Sequence, residues 1–178
     1  MEARPLRLFF GLPLPPEVCD ALARWERATP GVAGWTRPQG LHLTLAFLGA
    51  RDAGTLPALE ACAAGVATRH GPLELGTAAL GAFPGSRAAR VFWLGLTPAP
   101  ALEALAADLR EALAAAGETF DARPFRPHLT LARFRPARPL PDVAGPAPLS
   151  FKADRLVLLE SLSQGGYAAV RTWHLREV

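Results

Sequence analysis

RPQGLHLTLAF (37–47) and RPFRPHLTLAR (123–133) align without a gap and agree at Arg, Pro, His, Leu, Thr, Leu and Ala. The offset, 128 − 42 = 86 residues, is close to half of the 178-residue chain, which marks an internal duplication. Upstream, RLFFGLPLP from Arg7 resembles RVFWLGLTP from Arg90, each an apolar strand-like run that ends in proline. Helical spacing follows both runs: Val18, Leu22 and Trp25 in the first half, and Leu102, Leu105, Leu109 and Leu113 in the second, closed by Gly117. Each half therefore reads strand, helix, His-x-Thr strand. A further helix over 56–70 and a strand over 73–83 follow the first motif. A Pro-rich loop over 136–148, a strand over 151–160 and a last strand over 167–175 follow the second.

This order predicts an α+β fold, a single bilobal domain over 1–178 with repeats at roughly 5–85 and 88–178. The two lobes, each an antiparallel sheet backed by helices, are expected to face one another across a pseudo-twofold axis with a central cleft. Successive side chains of a strand point to opposite faces, so in HLTL the leucines anchor the strand while His and Thr share the open face. Two lobes then bring His42, Thr44, His128 and Thr130 around one point.

Such a set suits in-line displacement at phosphorus. One imidazole takes a proton from the attacking oxygen while the other gives one to the leaving oxygen, and an ordinary pKa near 6.5 lets histidine do either. The hydroxyls donate to the non-bridging oxygens, and neither a metal nor a cofactor is required. Zinc would find a poor site, because no cysteine or carboxylate stands at ligand spacing from the two histidines. The aligned motifs differ at their last position, Phe47 against Arg133, and a single phosphate needs a cationic clamp only once. Strict alternation puts Arg133 on the leucine face, so its guanidinium reaches the cleft only if the strand ends or bulges after Thr130.

Arg123, Arg126, Arg135 and Arg138 surround this motif with few acids nearby, a stretch suited to an RNA backbone or to plain solvation, with Arg126 the candidate RNA contact. Phe9, Phe10 and Trp35 are candidates to stack a base, Phe10 foremost, against the competing expectation that each is buried. His70 and His174 read as structural histidines. The balance of 19 Lys+Arg against 16 Asp+Glu, with Lys152 the sole lysine, permits an anionic partner without demanding one. Cys19 and Cys62 read as small buried residues in a reducing compartment. The opening apolar patch is cut by Pro13, Pro15 and Pro16, so no signal peptide or membrane span is expected, and the protein is expected to be cytoplasmic and monomeric.

RLFFGLPLP, HLTLAFLG, PHLTLARF and the late LVLLESLSQGGYAAV (156–170) resemble the 2H phosphoesterase superfamily, in its branch of RNA 2′,3′-cyclic phosphodiesterases, also described as 2′-5′ RNA ligases. The resemblance implies His42 and Thr44 as the first signature, His128 and Thr130 as the second, and Arg133 as the phosphate-binding arginine. It implies hydrolysis of RNA 2′,3′-cyclic phosphate ends, tRNA fragments among them, to 2′-phosphomonoesters without a metal. A reverse reaction joining ends through a 2′-5′ linkage is also implied. On that reading His42 is the proton donor to the departing 3′ oxygen and His128 the proton acceptor from water. The alternatives are a phosphodiesterase for small cyclic nucleotide derivatives and an RNA-end binding module without turnover.

Overall fold

A computed structural model describes residues 4–176. Eight strands, β1 (Leu6–Pro13), β2 (His42–Arg51), β3 (Leu73–Phe83), β4 (Ala89–Leu96), β5 (His128–Arg138), β6 (Ser150–Ala153), β7 (Arg155–Ser161) and β8 (Tyr167–His174), form one sheet. Three helices accompany it, α1 (Pro16–Arg27), α2 (Leu56–Ala67) and α3 (Pro100–Ala115). All described pairings are antiparallel, in the order β6-β3-β4-β5-β2-β1-β7-β8. The expected α+β class with an antiparallel sheet and helices is what forms. The two sheets expected for two lobes are, however, continuous through β2 and β5.

The run expected as one strand over 151–160 breaks at Asp154 into β6 and β7. These lie six strand positions apart, so one residue would have to span six spacings of about 4.8 Å in a flat sheet. The sheet therefore curls until its ends meet at Asp154.

Each helix carries a proline at its first turn, Pro16, Pro57 or Pro100, where the missing N–H removes no helical bond. Leu102, Leu105, Leu109 and Leu113 are fully buried, and Gly117 ends the α3 pattern at φ 76°, a left-handed conformation that favours glycine. Helix α2 stops at Ala67, short of the expected 70. His70 lies beyond it, with Nε2 at 2.8 Å from the Asp108 carboxylate of α3, the structural role expected of it. Buried faces of all three helices and the inner face of the sheet belong to one apolar cluster, each buried leucine worth about 1.5–3 kcal/mol.

Glu26 interrupts this apolar surface. It sits on the buried stripe of α1 with Val18 and Leu22, its Oε1 has no partner, and burial pushes its carboxyl up to about 7. The folded protein therefore holds a proton there that the unfolded chain gives up near the ordinary carboxyl pKa. Stability falls as pH rises from about 4.5 to 7, because the native state binds the extra proton in that window. Glu26→Gln should be more stable than the parent at pH 8 by about 1–2 kcal/mol and equal to it near pH 4, a difference read from paired thermal melts.

Candidate active site

The centre of the site is a single backbone pairing. Leu43 of β2 pairs with Leu129 of β5, the one register pair joining these strands. Because 43 + 129 = 42 + 130 = 44 + 128, the antiparallel register sets His42 across from Thr130 and Thr44 across from His128. Both leucines are buried, and the four polar residues, on the opposite face, are half-buried. His42 and His128 are then diagonal neighbours, about 7–8 Å apart at the backbone, a span that a phosphate group fits.

Both imidazoles are held in the same way. The Nδ1 of His42 lies 2.6 Å from the Gly40 carbonyl, and that of His128 lies 2.6 Å from the Arg126 carbonyl. A carbonyl only accepts, so Nδ1 donates in each ring and Nε2 keeps its lone pair for chemistry. Aromatic rings enclose both: Phe9 and Tyr167 with centroids at 4.8 Å from His42, and Phe83 at 5.0 Å and Trp93 at 6.3 Å from His128. Burial pushes His42 down to about 4, against the Gly40 hydrogen bond, while the charges of Arg133 and His128 add to the fall. His128 is also lowered by burial, against its Arg126 hydrogen bond, with Arg133 adding to the effect.

Arg133 reaches this face through the irregularity that strict alternation would not allow. Thr130 pairs with Trp93 and Ala132 with Phe92, which leaves Leu131 as one extra residue on β5. Leu131 and Ala132 are consecutive and both 0% exposed. This bulge reverses the alternation, so Arg133 emerges on the exposed side with Thr130. The backbone freed by the bulge is satisfied by the segment 34–36. Thr36 N–H donates to the Leu131 carbonyl at 2.7 Å, Arg133 N–H donates to the Gly34 carbonyl at 3.0 Å, and Trp35 bridges Ala132. Gly34, at φ 77°, is required here, since a Cβ would run into the Arg133 carbonyl. β2 carries the equivalent bulge at Leu45, and the Asp121 N–H donates to the Phe47 carbonyl at 2.9 Å. Phe47 thus occupies in one half the place of Arg133 in the other, with the Arg7 guanidinium 5.1 Å above its ring.

A cavity of about 250 Å³, lined by Gly34, Trp35, Arg37, Gly40, Arg133 and Tyr167, opens next to His42, whose ring contacts both Gly40 and Tyr167. Of the residues expected to contact a base, Phe10 does not reach it. Phe10 is 0% exposed and packs toward Trp173 at 6.2 Å on the core side, because alternation along β1 gives the face of His42 to Phe9 and Gly11. Arg126 is exposed, and its carbonyl rather than its guanidinium is what touches His128. Trp35 is half-buried, edge-on to Trp25 at 5.5 Å. Tyr167 was not expected at the site. It arrives from β8 after Gly165 and Gly166, and only the tertiary fold brings it against His42. Among the described residues, no group of three or more His, Cys, Asp or Glu is placed to hold a metal.

The chain matches a family model described as the 2′-5′ RNA ligase superfamily over residues 14–165. It is similar to an RNA 2′,3′-cyclic phosphodiesterase of Escherichia coli K12, 41% identical over 137 residues covering 74% of this chain and 73% of that protein. It is also similar to one of Geobacillus stearothermophilus, 36% identical over 128 residues and 70% of this chain. That match spans only 41% of the Geobacillus protein, so the chain covers less than half of that relative. Among solved structures, E. coli LigT complexed with 3′-AMP superimposes with TM-score 0.81 and 33% identity, covering 97% of this chain and 99% of that one. The Thermus thermophilus protein TT0787 superimposes with TM-score 0.75 and 29% identity, covering 96% and 98%.

The charge of Arg133 lowers both imidazoles, so its removal should raise both. In Arg133→Ala, the ring protons of His42 and His128 should titrate at higher pH than in the parent by NMR, with His42 still below the ordinary range because burial is the larger cause. Unmoved titrations would mean that the guanidinium does not face the pair.

Proposed function

This chain belongs to the 2′-5′ RNA ligase superfamily, and from that premise we propose that it hydrolyses RNA 2′,3′-cyclic phosphate ends to 2′-phosphomonoesters without a metal. The observation that carries the reading is the pair of imidazoles fixed diagonally across Leu43 and Leu129, each with Nδ1 bound to a carbonyl and Nε2 free. The curated relatives named RNA 2′,3′-cyclic phosphodiesterase support the substrate class.

In the proposed reaction His128 Nε2 takes a proton from water as the water oxygen attacks phosphorus. The bond to the 3′ oxygen breaks, and His42 Nε2 gives that oxygen its proton, leaving the phosphate on the 2′ oxygen. Thr44 and Thr130 hydroxyls donate to the non-bridging oxygens, and Arg133 neutralises the charge that builds there. A 5′-hydroxyl in place of water would give a 2′-5′ linkage by the same transfers. Both motifs, both bulges and the strand order on either side of β2 and β5 support reading 1–178 as one bilobal, duplicated domain. No helix among the described residues is long and apolar enough to cross a membrane. The free thiols of Cys19 and Cys62 suit the cytoplasm as the proposed location.

The depressed His42 adds a requirement. Burial lowers His42 to about 4, which leaves it neutral near pH 7, yet the donor role needs a proton. A bound phosphate anion supplies the condition by offsetting Arg133 and favouring imidazolium. Binding of a nucleoside 2′-monophosphate between about pH 5 and 7 should therefore take up protons, seen as calorimetric heats that scale with buffer ionisation enthalpy, and should weaken as pH rises. Zero uptake would remove the donor role from His42.

His42→Ala and His128→Ala should each lower kcat by about 10²–10⁴-fold on an oligonucleotide 2′,3′-cyclic phosphate while leaving the circular dichroism spectrum unchanged. EDTA should leave the parent enzyme's rate unaltered. A 3′-phosphate product, or a rate abolished by the chelator, would sink the mechanism, and tight binding of RNA ends without turnover would favour a binding module.

A further inference from the structure

A second cavity, of about 240 Å³, adjoins the first on the far side of Gly34, and Arg133 lines both. Its other cationic walls are Arg135 and Arg138. Beyond the Leu131 bulge, Arg133 and Arg135 are exposed while Phe134 between them is buried, so both guanidiniums leave β5 on one side. Two residues of strand separate their origins by about 6.6–6.8 Å, which is comparable to one nucleotide step along a strand. Arg138 is fixed beside them: its guanidinium lies 3.9 Å from the Phe134 ring centroid and donates through Nη2 to the Ala33 carbonyl at 3.2 Å. Its Nε is buried without a partner, a donor that calls for an acceptor.

No carboxylate lines either cavity. Among the described residues Arg133, Arg135 and Arg138 make no ion pair, so no acidic side chain neutralises the group. Three guanidiniums around a cavity with no carboxylate, one of them the Arg133 that lines the first cavity as well, suit an anion.

We propose that the Arg135 cavity binds a second phosphate of the substrate, the one esterified to the 5′ oxygen of the terminal nucleotide, and so makes the protein select RNA ends over nucleosides. The inference rests on the function proposed above, which puts the reacting phosphate at Arg133. A 2′,3′-cyclic phosphate occurs at the 3′ end of an RNA, so the only adjacent phosphate lies on the 5′ side. An oligonucleotide presents it as a phosphodiester and a free nucleotide as a 5′-phosphate.

Binding and turnover test this separately. By calorimetry, adenosine 2′,5′-bisphosphate should bind the parent about tenfold more tightly than adenosine 2′-monophosphate, and Arg135→Ala should lose that advantage. In kinetics, the ratio of kcat/KM for a dinucleotide 2′,3′-cyclic phosphate to that for adenosine 2′,3′-cyclic phosphate should fall by a similar factor in Arg135→Ala, mainly through KM. The slope of log KM against log salt for the dinucleotide should flatten by about 0.7, one phosphate contact on a single strand. Equal affinities of the two adenosine phosphates for the parent, or an advantage that survives in Arg135→Ala, would overturn the proposal. A gain seen with the bisphosphate but absent with the dinucleotide would also overturn it, assigning the cavity to free nucleotides. Absence of turnover on every cyclic phosphate would defeat the proposed function while leaving the calorimetric comparison decisive for the second phosphate.

Discussion

One backbone pairing, Leu43 with Leu129, is all that joins β2 to β5 by register. From it follow the diagonal placement of the two histidines and the splaying of the strands on either side. Splayed strands leave peptide groups without a ladder partner, and buried peptide groups must find one. The chain answers on β5 with residues 34–36 and on β2 with Asp121, and it can do so because each strand bulges just past its His-x-Thr motif. The bulge that follows Thr130 is also what turns Arg133 outward. Positioning of Arg133, the proposed phosphate clamp, and satisfaction of the backbone are therefore one solution to the same constraint.

The electrostatics follow from the enclosure this geometry creates. Aromatic rings from β1, β3, β4 and β8 surround the imidazoles, and burial is the main reason that both titrate low. Arg133 adds to the fall of both rings. The same cation favours a phosphate, whose charge then favours imidazolium. On the proposed function, the proton that the reaction needs would be favoured by the substrate's own charge.

How much of this can be read from sequence depends on whether the feature is periodic or tertiary. The HLTL repeat specifies its own face and strand, so the histidines, threonines and anchoring leucines are legible from alternation alone. Arg133 is legible only conditionally, because a bulge leaves no trace in a pattern where Leu131 and Ala132 are both apolar. The weaker upstream repeat misleads by one residue. Reading Arg7 over Arg90 aligns Phe10 with Trp93, whereas the strand registers pair Thr44 with Gly11 and Thr130 with Trp93, making Phe10 equivalent to the buried Phe92. A slip of one residue exchanges the two faces of a strand, and Phe10 lies on the buried one. Tyr167 and the break at Asp154 are set by the curl of the sheet, and nothing local announces either.

The two motifs supply two like histidine frames, but the proposed reaction needs them unlike, one acid and one base. The frames themselves cannot break the tie, since both rings are tethered through Nδ1 to the carbonyl two residues back. The surroundings of the two frames do differ. Beside Thr44 stands Gly11, where a Cβ would meet the Leu43 carbonyl at 2.7 Å, and beside Thr130 stands Trp93, packed over Gly81. Phe47 in one half stands in the place of Arg133 in the other, and burial lowers both rings, taking His42 to about 4 with His128 adding a smaller share. Mutual repulsion disfavours two imidazoliums and burial disfavours even one. In the proposed reaction, where one nitrogen gives a proton while the other receives one, the pair needs to hold a single proton, and the charge of a bound phosphate would favour it.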